Sequence, residues 1–161
     1  MTRRTGYSTL QIALHWIVAV LIFAAFFTHE DMGDALEARI EQGLSGFEGA
    51  TLHTVFGGLA LAFVLVRVLV RLKNGAPEPH GSPMVQMAAI WGHRLLYGLM
   101  IAAPALGAAT WFGKLEWLGE VHEVVGQALV LLAVGHLIMA IVHQVLWSDG
   151  TLARMTRPSR N

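Results

Sequence analysis

The sequence contains no cysteine among its 161 residues. This absence excludes thiolate-bound iron–sulfur clusters, haem attached through cysteine and any disulfide framework. Charged residues are also scarce, at 14% of the chain, against about a quarter in soluble domains. Because 55% of the residues are hydrophobic, the composition predicts an integral membrane protein. No basic stripe of the kind that binds nucleic acid is present in the sequence.

Four apolar runs alternate with short polar segments. We expect an all-α, membrane-embedded four-helix bundle that forms a single domain over residues 1–161, with spans at about residues 10–28, 50–72, 84–112 and 119–147. Each run is long enough to cross the roughly 30 Å of bilayer hydrocarbon. The first run follows basic residues, as in a signal peptide, but it contains His15 and Trp16 and lacks a small-residue cleavage site. We therefore interpret it as a span.

The longest acidic segment, residues 30–49, separates the first two runs. Asp34 and Glu37 have the spacing of a capping box, and Gly43 is a suitable helix stop. These signals favour a short surface helix over residues 35–42, with a plain hydrophilic loop as the alternative.

The basic residues are sorted to one side of the predicted membrane. Only Arg39 and Lys114 fall between the first and second or the third and fourth spans, on the side we call outer. The nine other basic residues fall on the opposite, inner side: Arg3, Arg4, Arg67, Arg71, Lys73, Arg94, Arg154, Arg157 and Arg160. By the positive-inside rule, this asymmetry predicts that both termini are cytoplasmic.

Three histidines lie in the otherwise apolar fourth run: His122, His136 and His143. His122 and His136 are fourteen residues apart, which places them on nearly the same helix face and about 21 Å apart along the axis. His143 lies seven residues further on the same stripe. Ionisable groups at membrane depth are costly, so they indicate a functional site.

Depth within the predicted spans suggests how the histidines pair. His53 begins the second run and His122 the fourth, so both lie near the outer face. His15 lies near the inner face, and its partner is either His136 or His143. Two redox centres about 21 Å apart would exchange electrons faster than centres about 31 Å apart, which favours His136.

Glycines near these histidines favour haem b over a bare metal ion. Gly57 and Gly126 each follow a candidate ligand by four residues, Gly58 is adjacent to the first, and Gly135 precedes His136. Small residues let a large planar group approach a helix. A zinc or copper site would more often include carboxylate, methionine or thiolate ligands at one depth. The remaining alternatives are single histidines that hydrogen-bond between helices, and a non-redox metal transporter.

Several segments resemble the bacterial cytochrome b561 family, in particular the members described as superoxide oxidases. They are residues 7–16 (YSTLQIALHW), 52–57 (LHTVFG), 92–97 (GHRLLY) and 147–155 (WSDGTLARM), together with His122–Glu123 and Gly135–His136 in the fourth run. The resemblance covers nearly the whole chain and is in register in all four runs.

The resemblance implies a cofactor, a ligand set and a location. The family's axial ligands correspond to His15, His53, His122 and His136, which would bind two haem b groups in a four-helix bundle of the bacterial inner membrane. The other two histidines of the third and fourth runs would lie close to the haems without binding iron: His93 and His143. The resemblance also implies ubiquinone as electron acceptor and superoxide as donor. The alternative use in the family is a haem subunit that relays electrons between the quinone pool and a dehydrogenase, hydrogenase or periplasmic partner.

Two arginines near the inner end of the second run complete the candidate site. Arg67 and Arg71 lie fourteen and eighteen residues after His53, so they share its helix face. We expect them to pair with propionates of the inner haem or with a quinone head group. The alternative is that they extend to lipid phosphates.

Overall fold

The computed structural model describes residues 6–79 and 81–158, and its regular elements in that part of the chain are helical. They are α1 (Thr9–Phe27), α2 (Met32–Glu41), α3 (Leu52–Asn74), α4 (Pro83–Gly113), α5 (Trp117–Val145) and a 3₁₀ turn (Ala153–Met155). All of these helices except α2 and the 3₁₀ turn are long and apolar enough to cross a membrane. The predicted all-α architecture with four spans is confirmed. Arg3, Arg4 and Arg160 of the predicted inner charge set lie outside the described residues.

Capping residues explain where two of the spanning helices begin. The Ser8 hydroxyl accepts a hydrogen bond from the backbone N–H of Gln11, and the Gln11 side chain accepts one from the N–H of Ser8. This capping box begins α1 at Thr9. Thr51 caps α3 by accepting from the N–H of Thr54. The second span therefore begins at Leu52, whereas the predicted start was residue 50.

The short helix predicted in the outer segment is present, but it begins earlier than the pattern indicated. It runs from Met32 to Glu41, and its N-cap residue Asp31 makes no side-chain capping bond. Asp34 lies inside the first turn, where its negative charge interacts favourably with the positive end of the helix dipole. The capping box predicted at Asp34 was therefore wrong, although the helix itself was right.

The four spans form a closed ring. α1 packs against α3, α3 against α4, α4 against α5, and α1 also contacts α5. α3 and α5 therefore lie diagonally across the bundle. This arrangement leaves an interior that all four spans line.

Hydrogen bonds between loops and helices mark the two ends of the bundle. At the inner end, the Gln11 side chain donates to the carbonyl of Gly75, and the Trp16 indole donates to that of Met155. The first and last parts of the described chain therefore approach the same end of the bundle. At the outer end, the hydroxyl of Thr51 is 2.9 Å from the sulfur of Met32, which ties α2 to α3.

Six buried residues form the middle of the bundle, which we call the central core: Val18, Val64, Leu96, Met100, Ala103 and Leu129. Leu129 is seven residues from both His122 and His136 on α5. The central core therefore separates an outer from an inner group of histidines. Most other large apolar side chains of the spans are exposed in the isolated chain, as expected of surfaces that face lipid.

Candidate functional site

Two histidine rings meet at the outer end of the bundle. His53 lies in the first turn of α3 and His122 in the second turn of α5, with ring centroids 5.7 Å apart and ring planes at 76°. Nδ1 of His53 is 2.8 Å from the carbonyl oxygen of Ala25, and Nδ1 of His122 is 2.8 Å from that of Ala103. When Nδ1 donates to a carbonyl, Nε2 remains as the ligating nitrogen. The α1 and α4 backbones thus orient both rings.

A glycine on α4 leaves room for the His122 ring. A Cβ atom added at Gly107 would lie 3.0 Å from Cε1 and 3.2 Å from Nδ1 of His122. The imidazole therefore packs directly on the α4 backbone. Unlike Gly57 and Gly126, which lie on the same helices as His53 and His122, Gly107 lies on a neighbouring helix and was not predicted from the sequence. The sequence signal for this close approach was the run of mostly small residues at 102–109.

Three histidines meet at the inner end. The ring of His136 lies 6.4 Å from that of His15 and 5.2 Å from that of His93, measured between centroids. Nδ1 of His93 is 2.6 Å from the carbonyl oxygen of Ala89, one turn earlier in α4. Nδ1 of His15 is buried without a hydrogen-bond partner in the described part of the chain. His15 and His93 both lie beside the ring of His136. The pairing of His15 with His136 therefore stays a prediction.

His143 belongs to a separate group near the C-terminal tail. Its Nδ1 is 2.5 Å from a carboxylate oxygen of Asp149. Its ring packs edge-on against the ring of Trp147, with the two centroids 4.4 Å apart. Partial burial opposes the charged form of Asp149. Hydrogen bonds from His143 and Thr151 outweigh that effect and lower the pKa of Asp149 to about 2. A cavity of about 250 Å³ adjoins this group and is also lined by Val85.

The two predicted arginines meet a tyrosine that the sequence analysis did not single out. Nε of Arg67 donates to the hydroxyl of Tyr97 at 2.9 Å. The guanidinium groups of Arg67 and Arg71 lie 5.5 and 5.4 Å from the centroid of the Tyr97 ring. Arg67 is also close enough to interact electrostatically with His15 and His136. The inner histidines therefore adjoin a cationic, hydrogen-bonding surface.

Arg39, one of the two outer basic residues, is buried rather than exposed. Only 1% of its surface is accessible. Its Nε donates to the carbonyl of Trp111, and its two terminal nitrogens donate to those of Glu48 and Gly46. Arg39 therefore does not present its side chain at the outer surface.

The paired rings fit a haem iron. A metal–imidazole bond is about 2 Å long, so two rings on opposite sides of one metal have centroids about 6 Å apart. The separations of 5.7 Å for His53–His122 and 6.4 Å for His15–His136 agree with this value. A Cβ atom at Gly126 would meet no other atom within 4 Å, so space remains beside His122 on α5. In residues 6–79 and 81–158, no three or more His, Cys, Asp or Glu side chains converge as metal ligands. Paired imidazoles are a ligand set that haem iron uses.

Comparison with known proteins identifies the family. A family model described as "Prokaryotic cytochrome b561" matches residues 6–158. The chain belongs to the prokaryotic cytochrome b561 family.

Three relatives in the family match nearly the whole chain. "Cytochrome b562" of Cereibacter sphaeroides is 37% identical over 159 residues, which cover 98% of this chain and 99% of the relative. "Probable superoxide oxidase CybB" of Yersinia pestis is 28% identical, covering 96% and 97%. "Cytochrome b561 homolog 2" of Escherichia coli K12 is also 28% identical, covering 92% and 90%.

Membership of the cytochrome b561 family, together with the four candidate spans, establishes the general activity. The chain is a multi-pass protein of the bacterial inner membrane that transfers electrons through haem b.

Proposed function

We propose that the chain carries electrons across the membrane through two haem b groups, from superoxide on the periplasmic side to ubiquinone. The observation that carries this proposal is the presence of histidine rings at two depths, a pair at the outer end and a group of three at the inner end. His122 and His136 are fourteen residues apart on α5, or about 21 Å along its axis. The central core lies between them. Two carriers at this separation span much of the roughly 30 Å of hydrocarbon.

In this proposal, His53 and His122 hold the outer haem, and His15 and His136 hold the inner one. Bound there, a haem iron alternates between its ferrous and ferric states and so carries one electron. The carbonyls of Ala25 and Ala103 orient the outer rings through Nδ1. If two imidazoles held each iron, binding of dioxygen would be disfavoured and electron relay would be favoured.

Superoxide suits such a relay because it gives up one electron at a time. The relative from Yersinia pestis supports this donor through its name, at 28% identity. Two superoxide ions each lose one electron and leave as dioxygen. The two electrons, together with two protons, reduce one ubiquinone to ubiquinol. This balance requires no partner protein.

The polar surface at the inner end supports ubiquinone as the acceptor. A quinone head group has two carbonyl oxygens that accept hydrogen bonds. Arg71 and the Arg67–Tyr97 pair supply N–H and O–H donors close to the inner histidines. His93 lies beside His136 in the same region, where an imidazole can also supply a proton.

The charge of the outer surface favours a second candidate, the relay of electrons to or from a protein partner. Nine exposed carboxylates lie at the outer end, and they would repel an anion such as superoxide: Glu30, Asp31, Asp34, Glu37, Glu41, Glu48, Glu116, Glu120 and Glu123. Arg39 is buried and does not offset them. A basic periplasmic protein would be attracted by the same surface.

Rapid mixing separates the two candidates. Purified protein is mixed with superoxide in a stopped-flow spectrophotometer while haem absorbance is followed, and a ubiquinone analogue is then added. We expect the haems to be reduced within the mixing time and to be reoxidised when the quinone analogue is added. The His122→Ala variant is the matched control, since it lacks one outer ligand and retains the inner pair.

A contrary result favours the relay. In that case, superoxide leaves the haems oxidised, whereas a co-purifying dehydrogenase or a periplasmic protein reduces them.

A further inference from the structure

Arg39 is a buried cation at the outer end of the bundle. Its three hydrogen-bond partners in the described chain are backbone carbonyl oxygens, at 3.0 Å (Trp111), 2.7 Å (Glu48) and 3.0 Å (Gly46). Carbonyls satisfy N–H groups but carry no net negative charge. A guanidinium has five N–H groups, so two of them remain beyond these three bonds. Burial of a cation without a neighbouring anion costs free energy of folding.

The neighbouring Trp111 also has an unused donor. The residue is 2% exposed, and its indole Nε1 has no hydrogen-bond partner within the described residues. A buried tryptophan N–H usually finds an acceptor. The Arg39 guanidinium lies over the Trp111 ring, with its central carbon 4.6 Å from the centroid. An unpartnered N–H and a cation thus lie side by side in the interior.

Both groups lie on the outer side of the His122 ring. Ala103 accepts the hydrogen bond from His122, and Gly107 contacts its imidazole. Trp111 is the next residue at the same four-residue spacing on α4, about 6 Å further toward the outer end. Residues at this spacing share one helix face. The face of α4 that packs against His122 therefore continues to Trp111 and, through it, to Arg39.

We propose that Trp111 and Arg39 together bind a carboxylate of the outer haem. Haem b carries two propionate groups, and a carboxylate avoids the centre of the bilayer. A haem held by His53 and His122 would therefore direct its propionates toward the outer end. A buried carboxylate is stabilised by a hydrogen-bond donor and an adjacent cation, which are the two groups found there. This inference rests on the proposed outer haem.

The substitution Trp111→Phe tests the donor while it retains an aromatic ring beneath Arg39. We expect the variant to bind both haems, and the midpoint potential of the outer haem to fall while that of the inner haem stays unchanged. The reason is that a carboxylate with less compensation favours ferric iron. Reduced-minus-oxidised infrared spectra, with haem ¹³C-labelled at the propionates, should show a shifted carboxylate band. The control is Trp117→Phe, which removes an indole at the exposed start of α5.

The variant Arg39→Lys keeps the proposal testable if Trp111→Phe does not fold. It retains the positive charge but loses the planar guanidinium, and it should also shift the labelled carboxylate band. The inference is overturned if the outer-haem potential and the band are both unchanged in a variant that retains its haem. That outcome would mean that the indole N–H meets a water molecule or no acceptor, and the proposed function would stand. If instead His53→Ala and His122→Ala leave the haem content unchanged, the outer haem and this inference fail together.

Discussion

The rings of His53 and His122 lie 5.7 Å apart, although their helices, α3 and α5, are diagonal in the bundle and do not form one of its main packed pairs. The two side chains therefore meet across the interior rather than at a helix–helix seam. Their backbone hydrogen bonds go to the two other spans, through Ala25 of α1 and Ala103 of α4. All four spans thus take part in positioning one pair of histidine rings.

The contact between Gly107 and His122 predicts a strong effect of a single methyl group. Gly107→Ala would place a Cβ atom 3.0 Å from the imidazole, and relief of such overpacking typically costs about 1–3 kcal/mol. We expect weaker retention of the outer haem and altered low-spin signals in its electron paramagnetic resonance spectrum. Gly98→Ala is the control, because Gly98 is exposed on the opposite face of α4 and a Cβ there meets no atom within 4 Å. Equal spectra for the two variants would contradict the proposed role of Gly107.

The position of His93 allows a direct test of the inner ligand pair. Its ring is closer to His136 than the ring of His15 is, at 5.2 Å against 6.4 Å. We nevertheless expect His93→Ala to retain both haems and His15→Ala to lose one. Haem per chain, measured by the pyridine haemochrome assay, decides between them. If His93→Ala loses a haem and His15→Ala does not, His93 is the ligand.

The hydrogen bond from Arg67 to Tyr97 predicts a selective effect on quinone reduction. Tyr97→Phe removes the hydroxyl that accepts from Arg67 Nε at 2.9 Å, and a hydrogen bond to a charged group contributes about 1.5–3 kcal/mol. We expect slower reoxidation of the haems by the ubiquinone analogue, with the haem content and the rate of reduction by superoxide unchanged. Unaltered reoxidation would remove Tyr97 and its arginine partner from the acceptor site.

The tail contact between Asp149 and His143 should depend on pH. Because the pKa of Asp149 is lowered from 3.8 to about 2, its ionised form stabilises the folded chain above about pH 4. This contribution is lost as the pH falls through about 2. We expect Asp149→Asn to lower the melting temperature at pH 6, and the difference from wild type to shrink between pH 4 and pH 2. Glu30→Gln, at an exposed loop position before α2, is the control. A difference that does not change over this range would contradict the role of the Asp149 charge.

The spans were predictable because each apolar run falls within or above the range of lengths that a bilayer demands, and because the ends of the helices are encoded locally. The Ser8–Gln11 capping box and the Thr51 cap are local signals, although they were not predicted from the sequence. The encounter of His53 with His122 also followed from depth alone, since both lie near the same ends of their spans. A shared depth does not specify a partner where three rings lie at one level, as at the inner end.

The environments of Arg39 and His143 could not be predicted, because they depend on loops rather than on helix periodicity. Arg39 is held by backbone carbonyls from an irregular segment and from the end of α4. Any residue type can supply such a carbonyl, so the sequence carries no signal for it. His143 turns toward Asp149 because the tail folds back after α5. Neither pattern has a helical repeat.

The number of haems per chain, and its change on removal of single histidines, tests the central claim most directly. The pyridine haemochrome assay should give two haems b for the wild type and one for each of His53→Ala, His122→Ala, His15→Ala and His136→Ala. The two outer variants should share one residual spectrum, and the two inner variants another. His29→Ala, at an exposed outer position, should retain both haems. One haem in the wild type, or an unchanged haem content in His136→Ala, would contradict the account.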